Sequence, residues 1–386
     1  MAQINRRTAL YTLGGGTALI LGAGGLWAAT RAPAKALEPW RLAETGNWPD
    51  PRLRAFAHAI LAPSPMNMQP WRIRLDGDHG ATLFCAPASL LPASDPFDRQ
   101  TTIGFGAFIE TARIAAAEQG QRLNVTPFPE GPALPNLDQR PIARLSFALD
   151  AGIKKDPLFA AIQKRVTNRG QYDTDVQLTS TELDALRGQA VAGTEIDATA
   201  SRDRVSLLRA VCTDALVAEA ATDAIWAQQI SHTRIGRKEI EAHPDGIDIA
   251  GAGPEAAKAL GFLNRQMLEK RSSAAGRAAI SSSVEAAATA MAFAWVVTPS
   301  NSREDQLAAG AAFVRMHLEA AARGIALHPI SAPLQELPQL ASSRGALGDA
   351  LRRSDDRKIH MFVRLGIAAA AQHSPRWPLE ARLLQS

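Results

Sequence analysis

The fold is decided by residues 99–120, "RQTTIGFGAFIETARIAAAEQG", once they are set beside residues 303–324, "REDQLAAGAAFVRMHLEAAARG". Both segments are rich in alanine, carry apolar residues at helical spacing and end in a glycine suited to the left-handed position after a helix. The sequence therefore predicts two long, related helices, although any two alanine-rich helices align in part. The alignment needs no gap, and its identical residues include Arg99 with Arg303, Gly106-Ala107 with Gly310-Ala311, and Gly120 with Gly324.

Small residues lie at the same place in both predicted helices, at Gly106-Ala107 and Gly310-Ala311. Small side chains let helix backbones approach closely, so we expect the two helices to pack against each other here. A second similarity follows each helix. "RPIARLSF" (140–147) and "RKIHMFVRLG" (357–366) both have the apolar alternation of a strand and both contain Arg-Leu.

These repeats predict an α+β protein made of two related units, at residues 38–150 and 155–386. The second unit is predicted to carry a long helical insertion at about 203–290. Two similar units within one chain would form an intrachain pseudo-dimer. The natural ligand site of such an arrangement is the cleft between the units.

The composition is typical of a core-forming protein, with 46% hydrophobic residues, 21% charged residues and a net charge of +4. No basic run is interleaved with aromatic residues, so we do not expect nucleic-acid binding. Cys85 and Cys212 are far apart and lack metal-ligand spacing. They are interpreted as buried free thiols, with a disulfide in an oxidising compartment as the alternative. No metal site is predicted.

Residues 1–34 have the layout of a secretory signal: Arg6-Arg7, then an apolar, glycine-rich stretch, then small residues. The paired arginines indicate the twin-arginine export route, although Ala9 stands where a large apolar residue is usual. The alternative is an uncleaved N-terminal anchor, because the apolar run is nearly long enough to span a bilayer. Both interpretations place the folded part outside the cytoplasm, in the periplasm or another extracytoplasmic space.

A stiff loop, "APSPMNMQPW" (62–71), joins a predicted helix at 50–61 to a predicted strand. Proline stiffens the backbone that carries Ser64, Asn67 and Gln69. A carboxamide offers one acceptor and two donors, a pattern that suits the edge of a heterocycle. The alternative is that Ser64 and Asn67 only cap and turn the chain.

A second polar motif, "QKRVTNRGQYD" (163–173), opens the second unit. Arg165, Thr167 and Arg169 alternate along it, so on an extended chain their side chains would point the same way. Two guanidinium groups and a hydroxyl can converge on a phosphate or polyol. Arg364, late in the last predicted strand, is a further phosphate candidate. The alternative for this motif is a solvated, charged surface.

Together these motifs resemble those of the nitroreductase-like flavoproteins. Within that family they resemble the tandem, single-chain branch that carries a twin-arginine signal, the Acg-like group. The resemblance covers most of the chain after about residue 38. It rests on residues 63–71, 95–120, 165–169, 310–324, 328–331, 364–366 and 375–376.

The resemblance implies one FMN per chain, held between the two units, because each unit has kept one complementary part of the site. The backbone at Pro329, Ile330 and Ser331 would approach the flavin N5. The implied side-chain ligands are Ser64, Asn67 and Gln69 for the isoalloxazine, and Arg165, Thr167, Arg169 and Arg364 for the ribityl phosphate.

The implied activity is that of an FMN-dependent oxidoreductase that reduces a small conjugated acceptor: a nitroaromatic, a quinone or an enone. The insertion is interpreted as a lid over the flavin. No catalytic residue is assigned, because the cofactor itself carries such chemistry. Met66 stands where the tandem branch often has a histidine, and it cannot exchange protons.

The implied partners are a small-molecule substrate and the twin-arginine export machinery, with the electron donor unidentified. A monomer is expected, because the pseudo-dimer lies within one chain. One alternative is a non-catalytic protein that binds or sequesters FMN beneath a closed lid. Another is a flavin-free descendant of the fold.

Overall fold

The computed structural model describes residues 32–352 and 357–385 of the 386-residue chain. The predicted signal or anchor at 1–34 lies outside these residues, apart from its last three. In the described part of the chain, no helix is both long enough and apolar enough to cross a membrane.

The first half of the chain is an α+β unit. Its elements are α1 (Ala34–Thr45), α2 (Pro51–Ala59), β1 (Trp71–Asp76), β2 (Gly80–Cys85), α3 (Arg99–Glu118), β3 (Gln121–Pro127) and β4 (Ala143–Leu149).

The second half begins with α4 (Ser180–Arg187) and β5 (Glu195–Thr199). A mainly helical region follows, and we call it the lid region. It consists of α5 (Arg202–Ala221), α6 (Asp223–Ser231), β6 (Thr233–Ile235), α7 (Arg237–Ala242), β7 (Ile247–Ile249), α8 (Ala252–Ala259), α9 (Arg265–Glu269) and α10 (Ala274–Ala288).

The chain then returns to the second half. The remaining elements are β8 (Ala292–Thr298), α11 (Arg303–Ala322), β9 (Ala326–Pro329), α12 (Ala341–Ala350) and β10 (Lys358–Gly366).

The two halves have one topology. The sheet of the first half has the strand order β1-β2-β4-β3, and that of the second half has the order β5-β8-β10-β9. Neighbouring strands in both sheets are antiparallel. Taken in chain order, β1, β2, α3, β3 and β4 correspond to β5, β8, α11, β9 and β10. The lid region therefore lies between the first two strands of the second sheet.

Local sequence explains why α2 begins at Pro51. The Asp50 carboxylate accepts a hydrogen bond from the backbone N–H of Arg52, and Pro51 occupies the first position of α2. Both features favour the start of a helix. The helix buries Phe56, whose ring lies 6.1 Å from that of Phe108 in α3, between centroids.

The long helices α3 and α11 pack against each other at their glycines. A Cβ atom added to Gly106 would lie 2.0 Å from the backbone oxygen of Leu307, and one added to Gly310 would lie 2.0 Å from that of Ile103. The predicted close approach of the two helices is thus present. Gly120 and Gly324, which follow the helices, have φ values of +70° and +72°.

The first arginine of each long helix reaches into the opposite half. Arg99 donates to the backbone oxygens of His360 and Leu334 in the second half. Arg303 donates to those of Ala133, Pro135 and Asp98 in the first. Both arginines are buried. Arg99 and Arg303 therefore each bind one half of the chain to the other.

Replacing Gly310 by alanine should lower the free energy of unfolding by about 1–3 kcal/mol, because the added methyl group meets a backbone carbonyl that cannot rotate away. We expect this net loss of stability although alanine favours a helix by about 1 kcal/mol over glycine. Urea unfolding measures the change. Gly345→Ala in α12 is the matched control, since its added Cβ meets nothing within 4 Å. Equal unfolding midpoints for the two variants would contradict the packing argument.

Candidate functional site

A cavity of about 510 Å³ lies where the two halves meet the lid region. This volume is in the range of small-molecule sites, about 300–1,000 Å³. The first half contributes Pro63–Met66 and the start of α3, the second contributes residues 328–335 and 360–362, and the lid region closes the remaining side with α5, α6 and α10.

The loop before β1 has an unusual backbone. Met66, Asn67 and Gln69 have φ values of 44°, 57° and 49°, which lie in the left-handed region. Residues other than glycine adopt this conformation at some cost, and only where the surroundings fix it. Ser64 helps to fix it, because its Oγ accepts a hydrogen bond from the Gln69 N–H over 2.9 Å. Ser64 and Met66 both line the cavity.

Asn67 and Gln69 are buried, but they do not line the cavity. The Asn67 amide donates to the Pro375 oxygen over 3.0 Å and accepts from Arg376 over 2.6 Å. The Gln69 amide donates to the Asn67 and Pro244 oxygens and accepts from the Trp377 N–H. Both carboxamides therefore bind protein groups. They join the loop to the C-terminal segment and, through Pro244, to the lid region.

Arg376 is buried at the centre of this connection. Besides Asn67, its guanidinium donates to the backbone oxygens of Pro375, Leu61 and Ala62, and it lies 5.2 Å from the centroid of the Trp40 ring. Burial, together with the charge of nearby Arg165, lowers the pKa of Arg376 well below its usual value. Carbonyl oxygens and an aromatic face stabilise this cation in place of a counter-ion.

The three polar residues of the motif at 165–169 do not all face the cavity. Thr167 and Arg169 line the cavity, whereas Arg165 is buried away from it. Arg165 donates to the Leu61 oxygen over 3.0 Å, and burial lowers its pKa to about 10. Arg169 is exposed, and within the described residues no hydrogen bond or ion pair occupies its guanidinium.

Arg364 also lies behind the cavity wall. It is fully buried and donates to the backbone oxygens of Ala286, Asn168 and Gly170. Its Nε donates to Nδ1 of His328 over 3.0 Å. His328 itself lines the cavity, so Arg364 fixes the orientation of a cavity residue.

The segment after β9 forms one wall of the cavity. Pro329, Ile330 and Ser331 all line it. The Ile330 N–H donates to the Phe362 oxygen over 2.8 Å, which fixes this wall to β10.

Glu219, a carboxylic acid on the lid side of the cavity, is not among the site residues predicted from the sequence. Its carboxyl accepts a hydrogen bond from Gln335, 116 residues away in the chain, and is also hydrogen-bonded to Gln229. Burial raises the pKa of Glu219 to about 7. A single glutamate in an alanine-rich helix is not distinctive in sequence, and its partners come from distant segments, so no local pattern could have identified it.

Replacing Arg376 by methionine should destabilise the fold by about 3 kcal/mol or more. The change leaves Asn67 Oδ1 and the Ala62 oxygen without their arginine donor, and each buried unpaired group costs about 1–3 kcal/mol. Urea unfolding of the purified protein measures the loss. The control is Arg41→Met, which removes an exposed ion pair with Glu38 and an exposed hydrogen bond to Thr45. Indistinguishable unfolding curves would disprove a structural role for Arg376.

No protein-family model matches the chain. A segment of 71 residues is 39% identical to a Mycobacterium tuberculosis protein named "Putative NAD(P)H nitroreductase acg", found in two strains. The match covers 18% of this chain and 21% of that protein, so the chain spans about a fifth of the length of these curated relatives.

Two solved structures align with this chain at low identity and low TM-score. A Bacteroides fragilis nitroreductase with bound FMN is 14% identical, with 56% of this chain and 91% of that chain covered and a TM-score of 0.34. The FMN-dependent nitroreductase NfnB from Mycobacterium smegmatis, in complex with NADPH, is 16% identical, with 58% and 96% covered and a TM-score of 0.36. By its shared sequence segment, the chain is similar to nitroreductases.

Proposed function

We propose that the protein is an FMN-dependent oxidoreductase of the nitroreductase type, which reduces a small conjugated acceptor such as a nitroaromatic, a quinone or an enone. The observation that carries this proposal is the position of the cavity. Ser64 from one motif, Thr167 and Arg169 from the second, and residues 329–331 from the third line a single space between the halves.

The residues of this cavity fit FMN. Arg169 is a cation at the wall with no ion-pair partner among the described residues, which suits a phosphate. Apolar side chains, including Met66, Ile103 and Phe313, can enclose an aromatic ring. When bound, FMN would supply the electron-transfer chemistry, and the protein would bind and orient it.

We assign two roles to the predicted ligands. Ser64, Thr167 and Arg169 would contact the cofactor directly, together with the wall at Pro329, Ile330 and Ser331. Asn67, Gln69, Arg165 and Arg364 would instead hold the segments around the cavity in place, because protein groups occupy the hydrogen-bonding atoms described above.

A second candidate function, a closed FMN-binding protein without turnover, is favoured by the contacts of the lid region. Gln69 donates to Pro244 over 2.7 Å, and Trp377 Nε1 donates to Asp245 over 2.9 Å. These bonds tie the lid region to the first half and to the C-terminal segment. The accessibility of bound flavin separates the two functions: rapid reduction by dithionite supports the enzyme, and slow reduction supports the binder.

We further propose that the chain is exported by the twin-arginine route and acts as a monomeric pseudo-dimer in the periplasm. The sequence of residues 1–34 and the repeated topology of the halves support this proposal. NAD(P)H is a cytoplasmic reductant, so an exported form would take electrons from a membrane quinol or a partner protein.

The purified protein should contain about one FMN per chain, because one cavity joins the complementary motifs. The visible absorption spectrum, with released flavin quantified against protein, measures this ratio. Two FMN per chain would mean a second site, and a colourless protein that added FMN cannot reconstitute would disprove the proposal.

Arg169→Ala should weaken FMN binding by roughly ten- to a hundredfold, because a charge-assisted hydrogen bond contributes about 1.5–3 kcal/mol. Arg165→Ala should instead lower the unfolding midpoint, because it removes a buried donor from the Leu61 oxygen. Fluorescence titration with FMN and urea unfolding distinguish these effects. Arg202→Ala, an exposed change on the lid region, is the control. A larger loss of FMN affinity in Arg165→Ala than in Arg169→Ala would reverse the two roles.

A further inference from the structure

Five titratable side chains line the cavity: Arg99, Arg169, Glu219, His328 and His360. Arginine remains protonated in proteins and does not serve as an acid. Glu219 and the two histidines are therefore the three candidates for a proton donor in the cavity.

The histidines are held neutral. Nδ1 of His328 accepts from Arg364, so the proton of its neutral ring is on Nε2, and burial beside Arg364 and Arg169 lowers the pKa of His328 well below its usual value. Nε2 of His360 contacts Thr298 Oγ1 at 2.8 Å, and burial lowers the pKa of His360 to about 3. Neither ring carries a proton that it could release as an acid at neutral pH.

Glu219 differs because, in the described part of the chain, no cation is paired with it. Its carboxyl is hydrogen-bonded to two neutral amides, those of Gln335 and Gln229. The charged groups on adjoining segments have other partners. Glu336 binds Lys358 and lies 3.4 Å from Arg99, and Arg344 donates to the Gln335 backbone oxygen. Burial thus favours the protonated carboxylic acid, with a pKa of about 7.

The Gln335 side chain can form a hydrogen bond with either protonation state of Glu219. It is 2% exposed, and its Oε1 has no hydrogen-bond partner among the residues that the structure describes, although its amide nitrogen contacts the Glu219 carboxyl. In this orientation the amide donates to a carboxylate. After half a turn about its last bond it would present Oε1, which accepts from a protonated carboxyl.

We propose that Glu219 is the proton donor of the cavity, which protonates an oxygen of the bound acceptor as that acceptor is reduced. This inference rests on the proposed function. A quinone becomes a hydroquinone by gaining two electrons and two protons. A hydride equivalent from FMN, previously reduced by the electron donor, brings both electrons and one proton. The Glu219 O–H bond breaks as the second new bond to hydrogen, an O–H bond of the product, forms.

The carboxylate that remains must recover its proton. Glu219 lies on α5 of the lid region, so movement of that region would bring it into contact with water between turnovers. Meanwhile the amides of Gln335 and Gln229 can donate to the ionised form. Positioned acids of this kind contribute about 10²–10⁴-fold to a reaction rate.

The test compares Glu219→Gln with Asp214→Asn, an exposed acid-to-amide change on the same helix. Infrared difference spectra of the full-length protein across pH should show a carboxylic acid that ionises near pH 7, lost in Glu219→Gln and kept in the control. This readout does not depend on turnover. FMN content should be the same in all three proteins.

The second readout is the rate at which menadione reoxidises the FMN-loaded protein after dithionite reduction. In the wild type the rate should fall about tenfold per pH unit above pH 7, as the acid form is lost. Glu219→Gln should be at least a hundredfold slower at pH 6 and independent of pH, with Asp214→Asn unchanged.

Two results would overturn the inference while leaving the proposed function intact. One is FMN-loaded Glu219→Gln that reacts with menadione at the wild-type rate. The other is an infrared titration without a Glu219 component near neutral pH. A protein that binds no flavin would overturn both proposals together.

Discussion

The contact between α3 and α11 is the constraint on which the rest of the structure depends. Each helix places a glycine where any Cβ atom would meet a backbone oxygen of the other, so the two backbones touch directly. That contact fixes the distance between two sheets of the same strand order. Arg99 and Arg303 then cross the junction in opposite directions to carbonyl groups of the other half. The cavity lies beside this junction. Its width therefore depends on the contact at Gly106 and Gly310, two residues that do not line it.

Backbone carbonyls take the place of carboxylates at several buried arginines. Arg165, Arg364 and Arg376 donate mainly to peptide oxygens, and burial lowers the pKa of each. A guanidinium can bind several carbonyl groups at once because its donors are spread in a rigid plane. Such an arginine holds separate segments of chain at one point. The segments around Ser64, Thr167 and His328 therefore meet at this cavity because buried arginines behind its wall bind them or their neighbours.

The sequence was most informative where geometry is local. The helices at 99–118 and 303–322 and the strand at 71–76 follow from periodicity, proline and glycine, and each lies close to its predicted bounds. Alternation along 165–169 placed Thr167 and Arg169 at the cavity but failed for Arg165, whose direction depends on distant Leu61 and Trp40. Asn67 and Gln69 adopt positive φ values that turn their amides toward a C-terminal segment about 308 residues away. Contacts at that separation leave no pattern in a single sequence.

The lid region and the loop before β1 are mechanically connected through Gln69. Its amide bonds to Pro244 on one side and to the Trp377 N–H on the other, while Asp245 accepts from both Arg234 and Trp377. Moving the lid region away from the first half would break bonds of a fully buried amide, and unpaired buried groups are costly. The same movement would carry Glu219 away from Gln335. The lid region is thus held at two points, by Gln69 of the loop before β1 and by Gln335 of the segment after β9.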